Sequence, residues 1–240
     1  MNRLSHYTNI TALEKILKSN RFKFNSLKNM NDKLEGRSRD VRGLYNVIFC
    51  SSWCNDNSKN GIEYMWKNYT KEGEGIRINL PINPFREHEV KGFHISSEGC
   101  IPKSILPPEY YPIMIEGRFE GLENLVKINY TNDIEHCFPE INNNKYIQIY
   151  KLGKHKTKKW KIEKEWRYIL YCMPRAIINY SPNTMEDFFD SFCIGCIYVD
   201  LKEDIFKQAE ILASKNLTKE NIEKLDKLSS KYGFKVKYVF

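Results

Sequence analysis

The segment that most constrains this chain is Lys158 to Tyr171, KKWKIEKEWRYILY. From Ile162 onward it is dense in aromatic and β-branched residues and is flanked by turn chemistry, which predicts a strand entered through a basic loop. Residues two apart on a strand share a face, so Glu163, Glu165 and Arg167 are expected on one side and Lys164, Trp166 and Tyr168 on the other. Two carboxylates and a guanidinium on one face are equipped for acid–base chemistry, since the acids raise each other's pKa and the arginine opposes this. The same alternation also describes the solvated outer face of a half-buried strand with ordinary cross-strand ion pairs.

The rest of the chain reads as a mixture of strands and helices. Alternation predicts strands at 4–8, 21–27, 47–53, 76–80, 125–130 and 234–240, and the apolar run 192–199 reads as a core strand. Ile10, Leu13, Ile16 and Leu17 share a helical face, with Thr8 or Asn9 as the cap and Asn20 as the stop. Further helices are expected at 63–69, 202–215 and 218–232, the last closed by Gly233. Prolines at 81, 84, 102, 107, 108 and 112 predict an irregular insertion over 81–112 with one strand near 90–95. With no repeat and no linker, the pattern implies a single α+β domain spanning 1–240.

At 41% hydrophobic and 13% aromatic, 240 residues can bury a substantial core. The chain has no apolar run long enough to span a bilayer and no leader-like N-terminus, which predicts a soluble cytoplasmic protein with no membrane partner. Seven cysteines, an odd number, fit reduced thiols. Cys50 with Cys54 and Cys193 with Cys196 could pair on a zinc ion, but Cys193 and Cys196 sit in an apolar strand on alternate faces, so core thiols are the better reading and no metal is expected. The common metal-nuclease core needs an acid two residues before a strand lysine, and Ile162 stands there before Lys164. Such a site would need the fold to gather Asp32, Glu35 and Glu163. The net charge of +8 favours an anionic partner. The lysine-rich loop 151–161, with Lys156, Lys158 and Lys159 beside Trp160, suits DNA or RNA contacts and equally suits a solvated loop next to core tryptophans. No phosphate-loop or dinucleotide glycine motif is present.

Five segments in order carry a resemblance. His6-Tyr7-Thr8 opens a strand before the first helix. Met30-Asn31-Asp32-Lys33-Leu34-Glu35 forms an acidic loop, and Phe49-Cys50-Ser51 a strand. Met65-Trp66 with Tyr69 precedes Gly75. Lys156, Trp160, Glu163, Glu165, Trp166 and Arg167 complete the set. Together they are similar to the bacterial family catalogued as domain of unknown function 2971, with Lys33 standing where that family usually has proline and Met30 where it usually has phenylalanine. The layout in turn resembles the ADP-ribosyltransferases, a likeness at the level of fold. It implies a split mixed β-sheet core with peripheral helices, and NAD as substrate.

By that resemblance, Glu165 and Glu163 are the catalytic residues. Glu165 would stabilise the charge that develops as nicotinamide leaves, and Glu163 would orient or deprotonate the acceptor. His6, Tyr7, Thr8, Trp66, Tyr69 and Arg167 would hold NAD, with Tyr69 stacking the nicotinamide and Arg167 keeping the acids ionised or gripping a phosphate. Lys156, Lys158, Lys159, Trp160, Asn31 and Asp32 would meet the acceptor, a nucleic acid or another bacterial or phage target in a toxin or phage-defence role. Two alternatives remain at this point: a non-catalytic nucleic-acid-binding defence module and a metal-dependent nuclease.

Overall fold

A computed structural model describes residues 2–55, 58–90, 103–115, 118–119, 125–143, 145, 147–175, 184–192 and 194–239. Its main sheet takes strands from both ends of the chain. These are β1 (Arg3–Asn9), β2 (Arg21–Ser26), β3 (Ile48–Cys54), β4 (Gly75–Pro81), β5 (Tyr110–Pro112), β6 (Leu125–Lys127), β7 (Glu165–Pro174), β8 (Cys196–Asp200), β9 (Glu210–Ser214) and β10 (Lys235–Val239). The order is β6-β7-β3-β1-β4-β9-β10, with β2 pairing β3 and β8, and β5 pairing β7. Every pairing is antiparallel except β9 with β10, so the sheet is mixed.

The sheet parts beside β3. On one side β3 pairs with β7 along its whole length, from Ile48↔Tyr171 to Cys54↔Glu165. On the other side it meets two different strands. β2 takes Phe49 and Cys50, and β1 takes only Cys54. β1 spends its length on β4, in register from Arg3↔Pro81 to Asn9↔Gly75. Ser51, Ser52 and Trp53 therefore face a split between β1 and β2, and the His6 ring fills part of it by donating from Nδ1 to the Ser52 carbonyl at 2.9 Å.

Helix α1 (Ile10–Ser19) starts under an Asn9 cap that accepts from the Ala12 amide and ends on Asn20 in the left-handed region. It buries Ile10, Leu13 and Leu17, as the sequence spacing predicts. Helix α2 (Lys59–Tyr69) runs past the split. Helix α3 (Lys219–Tyr232) is capped by Thr218 and closed by Gly233. The core lies on both faces of β3 and β7. Phe49, Trp53, Tyr168, Leu170 and Cys172 pack into the larger apolar cluster with Leu4, Phe22 and Phe85. Ile48, Cys50, Ile169 and Tyr171 pack into a second one with Leu27, Val47 and Ile149.

Two expectations are corrected. Residues 202–215 do not form a helix. A short 3₁₀ turn (Ile205–Gln208) precedes β9. The apolar positions 205, 206, 209, 211 and 213 satisfy a helical and a strand period at once. The fully buried β4 needs a neighbour along its edge, and β9 supplies it with Ile211 and Ala213 turned into the core. The run 192–199 is a strand only from Cys196 onward. The strand expected near 90–95 and the Cys193 thiol lie outside the described residues.

Candidate active site

The site rests on how β7 is entered. The strand does not begin at Ile162. Lys158–Glu163 form a 3₁₀ helix, Lys164 takes a left-handed conformation with φ +44°, and β7 starts at Glu165. A left-handed residue that is not glycine is uncommon. Here it reverses the chain so that Glu163 and Glu165, on different elements, both reach the Lys156 ammonium. Glu163 and Glu165 each lie 2.8 Å from Lys156 Nζ.

From Glu165 the expected alternation holds, but its face is not solvated. The second apolar cluster covers it, so Glu165 and Arg167 are buried, Arg167 completely. A buried charge is tolerable only when paired and hydrogen-bonded, and the pairing here is thorough. Arg167 donates from Nε to Glu165 Oε1 at 2.6 Å and from Nη2 to Glu165 Oε2 at 3.1 Å. Nη2 also reaches both Glu35 oxygens at 2.8 and 2.9 Å, and Nη1 reaches the Gly153 carbonyl at 3.2 Å. Lys156 adds a longer contact of 3.3 Å to Glu35. Glu35 arrives from the acidic loop, which turns at Gly36 with φ +71°. A Cβ there would come within 2.7 Å of Leu27 Cβ, so only glycine fits.

Three carboxylates thus surround two cations, and the environment shifts Glu165 and Glu35 in opposite directions. Burial alone would raise the Glu165 carboxyl, but Arg167 and Lys156 outweigh it and bring it down to about 2. For Glu35, burial outweighs the attraction of Arg167 and Lys156, and its pKa lies above the ordinary carboxylate value. Burial lowers the Lys156 ammonium, while Glu165, Glu35 and Glu163 together carry it well above the usual lysine range. The Tyr69 hydroxyl donates to Glu163 Oε1. Burial, then that bond, then the Glu163 charge push its pKa upward, so it stays a proton donor. Burial likewise pushes the Cys50 thiol up to about 12, so it is not a thiolate nucleophile.

These groups open on a cavity of about 250 Å³ at the split in the sheet. Ser5, His6 and Tyr7 line it from β1, Lys23 and Asn25 from β2, and Cys50 to Trp53 from β3. Asn31 contributes from the acidic loop, Met65 and Tyr69 from α2, and Lys156, Glu163 and Glu165 from the opposite wall. The His6 ring stands 4.9 Å from Phe22 and 5.3 Å from Trp53. Burial lowers its pKa, with the Ser52 carbonyl acting in the opposite sense. A carbonyl can only accept, so Nδ1 carries the proton and the neutral ring keeps a lone pair on Nε2.

The fold brings His6, Tyr7, Asn31, Tyr69, Lys156, Glu163 and Glu165 to one cavity and separates the other expected site residues from it. Thr8 lines a neighbouring groove. Trp66 packs edge-on against Tyr7 at 5.7 Å and lines a depression on another side. Arg167 lies beneath the floor with no exposure, so it neutralises carboxylates and does not grip a phosphate. Lys156 is not a surface acceptor contact, because its ammonium is enclosed by carboxylates. Asp32 is buried and caps the Leu34 amide at 3.2 Å; its neighbour Asn31 is the one that reaches the cavity. Lys158 and Lys159 are exposed, and Trp160 sits between the Lys156 and Lys159 ammoniums at 5.1 and 5.3 Å.

Lys23, Asn25, Trp53 and Met65 were not expected at the cavity, nor Glu35 in the ion cluster below it. For Glu35 the acidic-loop motif was a signal. Met65 belonged to the Met65-Trp66 segment of the resemblance, while for Lys23, Asn25 and Trp53 a single strand position carried none. Among the described residues no group of three or more His, Cys, Asp or Glu has the arrangement of a metal site. No described helix is long and apolar enough to cross a membrane.

Residues 65–168 match the family model described as "Protein of unknown function (DUF2971)". The match supports that family. It spans Tyr69, Lys156, Glu163, Glu165 and Arg167 and stops short of His6, Asn31 and Glu35. No curated protein matches the chain, and no solved structure does.

Proposed function

We propose that the protein is an NAD-dependent ADP-ribosyltransferase whose active site is the cavity at the split sheet. The observation that carries the reading is the convergence of β1, α2, the 3₁₀ helix and β7 on that cavity, bringing a neutral histidine, a tyrosine and two glutamates together. NAD supplies a glycosidic bond to a cationic leaving group, nicotinamide. The residues present suit that end of the molecule. Trp53, Met65 and Tyr69 offer an apolar wall for a flat ring, while His6 Nε2 and the carboxylates accept from sugar hydroxyls.

His6, held by Ser52, orients the sugar without adding charge. Glu165 is ionised and fixed by Arg167 and Lys156, so its negative charge is already in place where positive charge develops on the sugar. Glu163, the last residue of the 3₁₀ helix, takes the acceptor's proton as general base. The Tyr69 hydroxyl holds it in place from one side and Lys156 from the other.

A metal-dependent nuclease would need open carboxylate oxygens, and here the position shared by Glu35, Glu163 and Glu165 is filled by the Lys156 ammonium. A non-catalytic nucleic-acid module would use the exposed Lys158 and Lys159, and binding would survive Glu165→Gln. Nicotinamide release from NAD tests the reading, assayed with Glu165→Gln at a temperature where that variant remains folded. Release that requires the carboxylate supports it, and a folded Glu165→Gln protein with unimpaired release overturns it. A nucleic acid as acceptor predicts that release rises when DNA or RNA is added.

A further inference from the structure

The cavity of about 250 Å³ falls below the roughly 300–1,000 Å³ of sites that bury a whole drug-sized ligand. A second space adjoins it. His6, Lys23 and Asn25 also line a second, larger groove of about 590 Å³ that runs over α1 and β2. The two spaces share these three side chains, and Glu163 and Glu165 line only the first.

The chemistry of the two differs. Glu163 and Glu165 line the cavity, cations predominate in the groove, and Lys23 is common to both. Four cations line the groove, and two of them are already engaged: Arg21 with Asp200 at 2.7 Å and Lys71 with Glu74 at 2.6 Å. Lys15 and Lys23 are exposed and have no ion-pair partner among the described residues. Lys23 projects from β2, directly opposite Tyr198 of β8 in register. Tyr198 is 50% exposed at the rim. Two unneutralised ammoniums beside an open aromatic face suit phosphates attached to a planar base.

We infer that the groove over α1 and β2 binds a nucleoside diphosphate group, with Lys15 and Lys23 on the phosphates and Tyr198 beside the base. The inference deepens the proposed function, since the ADP half of NAD is one source of such a group; a free nucleotide is the other.

The test is calorimetric titration of ADP, with adenosine, NAD and a single-stranded oligonucleotide as separate arms, into the wild-type chain and the Lys15→Ala, Lys23→Ala and double variants. Both positions are exposed, so folding is not at stake. Each substitution removes one charge-assisted hydrogen bond to a phosphate, which predicts a rise in the ADP Kd of about tenfold for each lysine. Adenosine binding should be unaffected by either substitution. NAD weakened in parallel with ADP identifies the ADP half as the occupant. ADP weakened and NAD unchanged identifies a free nucleotide, and the groove then stands while its link to NAD fails. No ADP binding, ADP affinity unchanged in the double variant, or loss confined to the oligonucleotide overturns the inference. Lysine-dependent ADP binding without nicotinamide release would retain the groove and sink the transferase.

Discussion

Glu165→Gln and Glu35→Gln remove one charge each from the same buried cluster, yet they should differ sharply. Glu165 accepts from two Arg167 nitrogens at 2.6 and 3.1 Å and from Lys156 at 2.8 Å. The drop of its carboxyl from 4.5 to about 2 is a difference of roughly 2.5, or about 3 kcal/mol of preference for the charged form. Removing one partner of a buried pair costs about 3–5 kcal/mol, which agrees. At about 2–4 °C per kcal/mol for a chain of this size, Glu165→Gln should lower the Tm by roughly 6–20 °C. Glu35 meets a single Arg167 nitrogen and a more distant lysine, and its burial outweighs both. Its replacement should therefore cost clearly less.

The pH dependence has opposite signs for the two residues. The Glu165 pKa is depressed in the fold, so its stabilisation is complete above 4.5 and disappears as pH falls through about 2. The Glu35 pKa is raised, so its contribution worsens as pH rises above 4.5. Denaturant melts at pH 5 and pH 8 read the Glu35 effect, with Glu35→Gln comparing better with wild type at pH 8 than at pH 5, while the cost of Glu165→Gln stays constant over that range and shrinks only below pH 4.5. Equal costs for the two variants, or a larger cost for Glu35→Gln, would refute the assignment of Glu165 as the charged anchor.

Other perturbations test neighbouring parts. Gly36→Ala places a methyl 2.7 Å from Leu27 Cβ at φ +71° and should cost about 2 kcal/mol or more in a denaturant melt; a neutral result would mean that the acidic loop is not held as described. Tyr69→Phe removes the donor to Glu163 and should cost about 1–3 kcal/mol by the same measurement, with nicotinamide release falling alongside. Because burial lowers the His6 pKa below the ordinary 6.5, release should be insensitive to His6 between pH 8 and 6.5 and fall only below that range, as protonation removes the Nε2 lone pair. A loss centred above pH 6.5 that disappears in His6→Asn would contradict the neutral-histidine role.

Much of the site was legible because the elements carrying it are locally regular. His6 stands on a strand that leads into a capped, amphipathic helix, and Tyr69 ends a helix before a glycine turn. Glu165 and Arg167 do share a face. What the alternation at 163–171 lacked was the burial of both faces of β7. That depends on Leu27, Val47 and Ile149 arriving from elsewhere in the chain, and on Glu35 crossing 132 positions to meet Arg167. A basic loop likewise reads as solvated until the fold supplies carboxylates around Lys156. The turn at Lys164 had no signal, since lysine carries no preference for the left-handed region. The strand at 210–214 was hidden by apolar spacings that suit helix and strand alike, and only the edge of β4 decides between them.

If the cavity at the split sheet cleaves the nicotinamide bond of NAD, as we propose, the purified protein should release nicotinamide. The assay is run with and without added nucleic acid, alongside Glu165→Gln and His6→Ala proteins shown by circular dichroism to be folded at the assay temperature. The expected result is release by the wild-type chain and a loss of at least about a hundredfold in Glu165→Gln, in line with removing a group that stabilises transition-state charge. Release that persists in folded Glu165→Gln, or no release under any condition, would contradict it.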